Sequence, residues 1–208
     1  MSNFETEEQQ VEELKRWWKQ NSKVVIVGAL IGISVVLGGR AYMNHIQAQR
    51  VEASVRYDRM TQAISSQQTE AALREGEQIV ADYPDTVYAA MASLGLAKLR
   101  VEKGELSIAQ NRLQWIIDHA SQADIVHTAR LRLLRVLLAD GKYDIALSTL
   151  NGVDMDGYTA LYQELLGDIY LAKQQPDKAR TAYQAALDAM EAGDDRQTVQ
   201  MKLDDLGA

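Results

Sequence analysis

Hydrophobic and polar positions follow two regimes along this chain. In the first, Val24 to Gly39 (VVIVGALIGISVVLGG) runs sixteen residues without a charge, bracketed by Lys23 and Arg40. At 1.5 Å per helical residue the stretch spans about 24 Å, against a hydrocarbon core of about 30 Å. Lys23 and Arg40 can snorkel, and Trp17, Trp18 and Tyr42 stand at interfacial depth, which extends the span to a full crossing. A buried core helix apolar on every face would need a large core around it, and the neighbouring segments are polar and amphipathic. A cleavable leader fits less well: the segment ahead of the span carries five glutamates and two tryptophans, and Arg40 stands in the cleavage window. The stretch is therefore read as a retained anchor. Residues 1–23 form an N-terminal segment, 24–43 the transmembrane helix and 44–208 the domain beyond it. Lys15, Arg16, Lys19 and Lys23 crowd one flank while only Arg40 and Arg50 lie equally near on the other. The positive-inside rule then keeps the N-terminus cytoplasmic and exports the rest. Gly28 and Gly32 form a GxxxG pair with Gly39 on the same face, a spacing that admits a close helix but also arises by chance in membrane helices.

In the second regime apolar residues recur with helical period. Met1 to Gln10 is polar and acidic and is read as frayed at its start; Val11, Leu14, Trp17 and Trp18 carry a helix into the span. Beyond Arg40 there is no Gly or Pro until Gly76, and Ile46, Val51, Val55 and Ile64 recur every few residues. The pattern predicts one long helix leaving the membrane and becoming the first helix of the soluble domain, with a turn at Gln67-Gln68-Thr69.

From there the chain repeats. Its last unit, ALYQELLGDIYLAKQQPDKARTAYQAALDA, places Leu166-Gly167, Tyr170, Ala179, Tyr183 and Ala186 at the spacing of a tetratricopeptide repeat, with Tyr183 in place of the usual Phe. Gly167 and Ala179 are small because two helices cross there, and Pro176 opens the second helix after the Gln174-Gln175 turn. The preceding unit aligns Leu133-Leu134, Leu137, Gly141, Ala146 and Leu150, and the one before it Leu96-Ala97, Gly104, Ala109, Leu113 and Ile116. A degenerate first unit has Ala72 at the crossing and ends at Pro84. The crossing alanines Ala72, Ala109, Ala146 and Ala179 are thus 37, 37 and 33 residues apart. The fold class is all-α: one N-terminal transmembrane helix, then a tetratricopeptide-like solenoid of about four hairpins. Val199, Met201, Leu203 and Leu206 predict a closing helix over the last repeat, N-capped by Asp194 or Asp195, and Ala123 falls in an inter-repeat loop.

Charge and composition narrow the chemistry. Residues 40–208 carry 24 acids and 18 bases, net −6, which argues against nucleic acid and against adhesion to anionic lipid. There is no cysteine, and the three histidines, His45, His119 and His127, have no second ligand at metal spacing. Asp154-Met155-Asp156-Gly157 lacks the remaining ligands and the closing glutamate of a calcium loop and reads as a solvated loop. No cofactor, metal or catalytic constellation is implied. The concave face, lined by the first helix of each hairpin, is the candidate site. The alanine register assigns to it Met91, Leu94, Lys98, Val101, Leu131, Arg135, Leu138, Leu161, Glu164, Asp168 and Leu171. Apolar residues with convergent charges suit a partner's peptide or helix, unless the leucines pack on the next hairpin instead.

Glu8 to Lys23 (EQQVEELKRWWKQNSK), the Gly28/Gly32 span, Gly39-Arg40-Ala41-Tyr42 and Met201-Lys202-Leu203 resemble the bacterial ancillary SecYEG translocon subunit family. Asn21-Ser22 departs from that family's Asn-Gly, a change confined to a juxtamembrane turn. The resemblance implies an inner-membrane protein with a periplasmic tetratricopeptide-like domain. It also implies association with the Sec translocon and the membrane-anchored prolyl isomerase PpiD, and help for exported proteins. The family has no catalytic motif to carry over. A structural envelope scaffold that organises cell-division or cell-wall machinery is the alternative reading of the same pattern.

Overall fold

The computed structural model describes residues 7–155, 157–191, 193 and 195–207. The polar start before Glu7, the loop residue Asp156 and the alternative cap Asp194 lie outside the described residues. Nine helices and no strand occur among them: α1 (Glu7–Ser65), α2 (Thr69–Asp82), α3 (Val87–Glu102), α4 (Leu106–His119), α5 (Ala123–Ala139), α6 (Tyr143–Ser148), α7 (Thr159–Ala172), α8 (Pro176–Ala189) and α9 (Arg196–Asp205). The chain divides into compact units after Gln49, so the C-terminal part of α1 belongs with the repeats. Among the described residues one helix, α1, is long and apolar enough to cross a membrane, and its large apolar side chains from Val24 to Leu37, in the first unit, are exposed.

In the second unit four turns of one geometry build the hairpins. Gln67, Gly104, Gly141 and Gln174 have φ of 57°, 74°, 71° and 59°. Each donates its N–H to a carbonyl three residues back, and the next residue donates to one five back: Gln68 to Ala63, Glu105 to Arg100, Lys142 to Leu137 and Gln175 to Tyr170, at 2.8, 2.8, 2.9 and 2.9 Å. This paired closure is the Schellman ending, which needs one left-handed residue. Glycine supplies it twice; at Gln67 and Gln174 a side chain bears the strain. The turns repeat at the interval of the crossing alanines, five residues ahead of each one.

Ala72, Ala109, Ala146 and Ala179 are all 0 % exposed, as the repeat reading requires. Gly167 is small for a specific reason: a Cβ there would overlap the ring of Tyr183, which is itself fully buried. Three apolar clusters run along the array. One lies around Met60, Ile79 and Leu96, a second around Leu113, Leu134 and Ile169, and a third around Tyr183 and Val199; Trp115 packs against the first two. Polar ties bridge successive hairpins at matching positions, Lys103 to Glu70 at 2.8 Å and Lys173 to Asp144.

Two details correct the sequence reading and one adds to it. Ala123 opens α5 rather than lying in a loop, though it is exposed. The third hairpin's second helix, α6, is only six residues long, and Gly152 and Gly157, both at φ 73°, shape the loop after it. In α9, Asp195 accepts from the Thr198 N–H and caps the helix, and Val199 is buried, but Met201 is 59 % exposed. Val199, Leu203 and Leu206 share a helical face at i, i+4 and i+7; Met201, two residues off it, faces water.

Candidate functional site

The first helices α3, α5 and α7 bury most of their circumference, and what they leave open forms a stripe. On α5, Leu131, Leu133, Leu134, Val136 and Leu137 are buried. Ile125 and Thr128 are half-buried while Arg132, Arg135 and Ala139 are exposed, steps of three and four residues that define one helical face. One repeat earlier the same positions hold Tyr88, Met91, Gly95, Lys98 and Glu102, of which Tyr88 and Gly95 are covered by Tyr57 and Met60 of α1. One repeat later they hold Tyr158, Leu161, Leu165, Asp168 and Ala172, of which Leu165 is buried, so the stripe is interrupted on both neighbouring helices.

Of the residues assigned from sequence, Met91, Lys98, Arg135, Leu161 and Asp168 lie in these positions. Leu94 and Leu138 are half-buried against the central cluster, and Val101 and Leu171 are exposed near the ends of their helices. Leu131 is a correction. It is 5 % exposed and part of the core, because α5 turns the next residue, Arg132, outward. Arg132 and Thr128 were missed, although each stands 37 residues after a stripe position, Gly95 and Met91.

Electrostatics differ along the stripe. Its α7 end is neutralised from within: the Lys202 ammonium of α9 donates to Glu164 at 2.7 Å and to Asp168 at 2.8 Å, and the Tyr183 hydroxyl donates to Asp168 at 2.8 Å. Burial opposes the charge on Lys202, but hydrogen bonds to Asp168 and Glu164 outweigh it and raise its pKa. Burial, then the Asp168 acceptor, push the Tyr183 phenol well above its ordinary range. The α3 end carries an exposed Lys98–Glu102 pair at 3.8 Å. On α5, Arg132 and Arg135 have no hydrogen bond or ion pair among the described residues.

Beside Leu161, a cleft of about 590 Å³ opens between the ends of α7, α8 and α9, lined by Tyr158, Glu164, Met190, Asp195 and Thr198 among others. His127 stacks on Tyr158 at 4.3 Å and its Nδ1 lies 2.9 Å from the Tyr162 hydroxyl, a packed polar pair on the wall of α5. Among the described residues, no group of three or more His, Cys, Asp or Glu is placed to hold a metal. In the apolar stretch of α1, Gly28, Gly32 and Gly39 have no side-chain or backbone neighbour from elsewhere in the chain.

A family model described as a tetratricopeptide repeat-like domain matches residues 15–208. The chain is 34 % identical over 203 residues to a Haemophilus influenzae protein named ancillary SecYEG translocon subunit, covering 96 % of this chain and 97 % of the relative. An Escherichia coli protein of the same name is 31 % identical over 206 residues, covering 99 % of each. The chain belongs to the ancillary SecYEG translocon subunit family. A Neisseria gonorrhoeae member is 27 % identical over 202 residues. The matches run through the apolar stretch of α1 as well as the hairpins, so family membership covers that stretch and the tetratricopeptide-like repeats together. A membrane-associated subunit with a helical repeat module is the arrangement common to the name, the span and the fold.

Proposed function

We propose that this chain is a non-catalytic, single-pass scaffold of the bacterial inner membrane, built of a cytoplasmic segment 1–23, an anchor 24–43 and a periplasmic repeat domain 44–208. It associates with the SecYEG translocon, works beside a membrane-anchored prolyl isomerase such as PpiD, and assists proteins as they emerge. The near end-to-end match to relatives named ancillary SecYEG translocon subunits carries this reading. The basic cluster Lys15, Arg16, Lys19 and Lys23 supports the orientation. The mechanism is effective concentration: tethering confines the repeat face to the membrane surface, so weak contacts with chaperones and emerging chains suffice.

A mild-detergent pull-down of the full chain from membranes is the test. Translocon subunits and a prolyl isomerase are the expected recovery; cell-division or cell-wall proteins in their place would overturn the assignment. A reporter fused after Ala208 and active only in the cytoplasm would reverse the orientation.

A further inference from the structure

We propose that the open stripe of α5 docks an acidic, amphipathic helix of a partner protein, its carboxylates held by Arg132 and Arg135. The inference rests on the reading of the repeats as a protein-binding module and names the chemistry of what they bind. Helix α5 carries Arg130, Arg132 and Arg135 against a single acid, Asp124, within a domain of net −6. Asp124 is engaged by the Tyr158 hydroxyl at 3.0 Å, and Arg130 faces Tyr162. Most basic side chains of the repeats are answered within the fold: Arg100 by Glu105, Arg112 by Glu77, Lys142 by Asp140 and Lys202 by Glu164. Arg132 and Arg135 are not.

They stand at i and i+3, where like charges on one helix face repel. No carboxylate among the described residues pairs with either, and two guanidinium forks side by side are suited to carboxylates from outside. Apolar side chains accompany them on α5, Ile125 on the same face and half-buried Leu138 three residues beyond Arg135, and the equivalent register positions of α3 and α7 include Met91 and Leu161. Arginine set in apolar surroundings is the composition of interface cores. From Ile125 to Ala139 the stripe is about 21 Å long, matching a partner helix of roughly four turns. An anionic lipid surface would also answer the arginines, but a domain of net −6 is repelled by one.

The test uses the full-length chain in phosphatidylcholine nanodiscs. The probes are a fluorescein-labelled amphipathic 15-residue peptide with Glu at i and i+3, and its Lys-for-Glu counterpart. The acidic peptide is expected to bind and the basic one not. Arg132→Glu with Arg135→Glu weakens binding by roughly tenfold or more, Arg132→Gln with Arg135→Gln weakens it less, and Arg59→Glu with Arg74→Glu leaves it unchanged. Raising salt from about 0.1 M to about 1 M, which shortens the Debye length from about 10 Å to about 3 Å, weakens it as well. Equal binding of the two peptides, equal loss in the Arg59/Arg74 variant, or Arg132/Arg135-dependent capture of phosphatidylglycerol vesicles without peptide binding would each overturn the proposal. A parent chain that binds the acidic peptide yet recovers no translocon subunit from membranes would support the docking face and refute the translocon assignment.

Discussion

At four points in the repeats a fully buried alanine, Ala72, Ala109, Ala146 and Ala179, stands in a helix of a hairpin, and these points set the tolerance of single residues. Ala146 is 0 % exposed where α6 meets α5, so Ala146→Leu must push the helices apart. The expected cost is about 1–3 kcal/mol. Ala123→Leu, at the exposed start of α5, is expected to be nearly silent, and thermal melts followed by circular dichroism separate the two. The turns offer the opposite experiment. Gln174 sits at φ 59° where two other hairpins use glycine. Gln174→Gly relieves left-handed strain of roughly 1–2 kcal/mol while adding unfolded-state entropy of about 0.4–1 kcal/mol. A small rise in melting temperature is expected, and Gly141→Ala should lower it.

Among the elements, α9 shows how a closing helix is held. Val199 enters the terminal cluster, and Lys202 crosses to Glu164 and Asp168 on α7 while sitting over the Tyr183 ring at 5.9 Å. The folded pKa values of Lys202 and Tyr183 both lie above their unfolded values of about 10.4 and 10. In alkaline solution the folded state therefore holds more protons than the unfolded one. The stabilisation is complete below about pH 10 and is lost as pH rises through the folded values. Urea midpoints should fall more steeply above pH 10 in the parent than in Lys202→Met. At neutral pH that variant should be weaker by about 1 kcal/mol, since the ammonium is partly exposed and its pairs are screened. A parallel decline of parent and variant would remove Lys202 from the alkaline transition. Much of this element was legible in advance. The helix and an aspartate cap at 194 or 195 follow from spacing, as do Val199, Leu203 and Leu206 facing inward, whereas Met201, expected inward, lies outside. The salt bridge does not, because its partners are 34 and 38 residues away and nothing local pairs them.

For the whole molecule, the question is whether α1 is a tether or also a recognition helix. Replacing Val24–Gly39 by an unrelated leucine-rich span should restore partner recovery, since Gly28 and Gly32 form a pattern common by chance. Lost recovery with insertion intact would assign those glycines the contact. A fragment from Arg50 onward should unfold cooperatively yet recover partners poorly, since linkage raises apparent affinity by roughly 10²–10⁴-fold. The sequence by itself determined the uncharged span, the helical period, the interval between crossing alanines and the four turns. Each of these is local chemistry: hydropathy, i to i+4 spacing, small residues and left-handed positions. Only the tertiary structure decided which face of α5 stays open. That helix is apolar on several sides, and Leu131 and Arg132 are distinguished only when α4, α6 and α7 close around it. Packing turned Leu131 into the core, matched Lys202 with the acids of α7, and left Arg132 and Arg135 facing water.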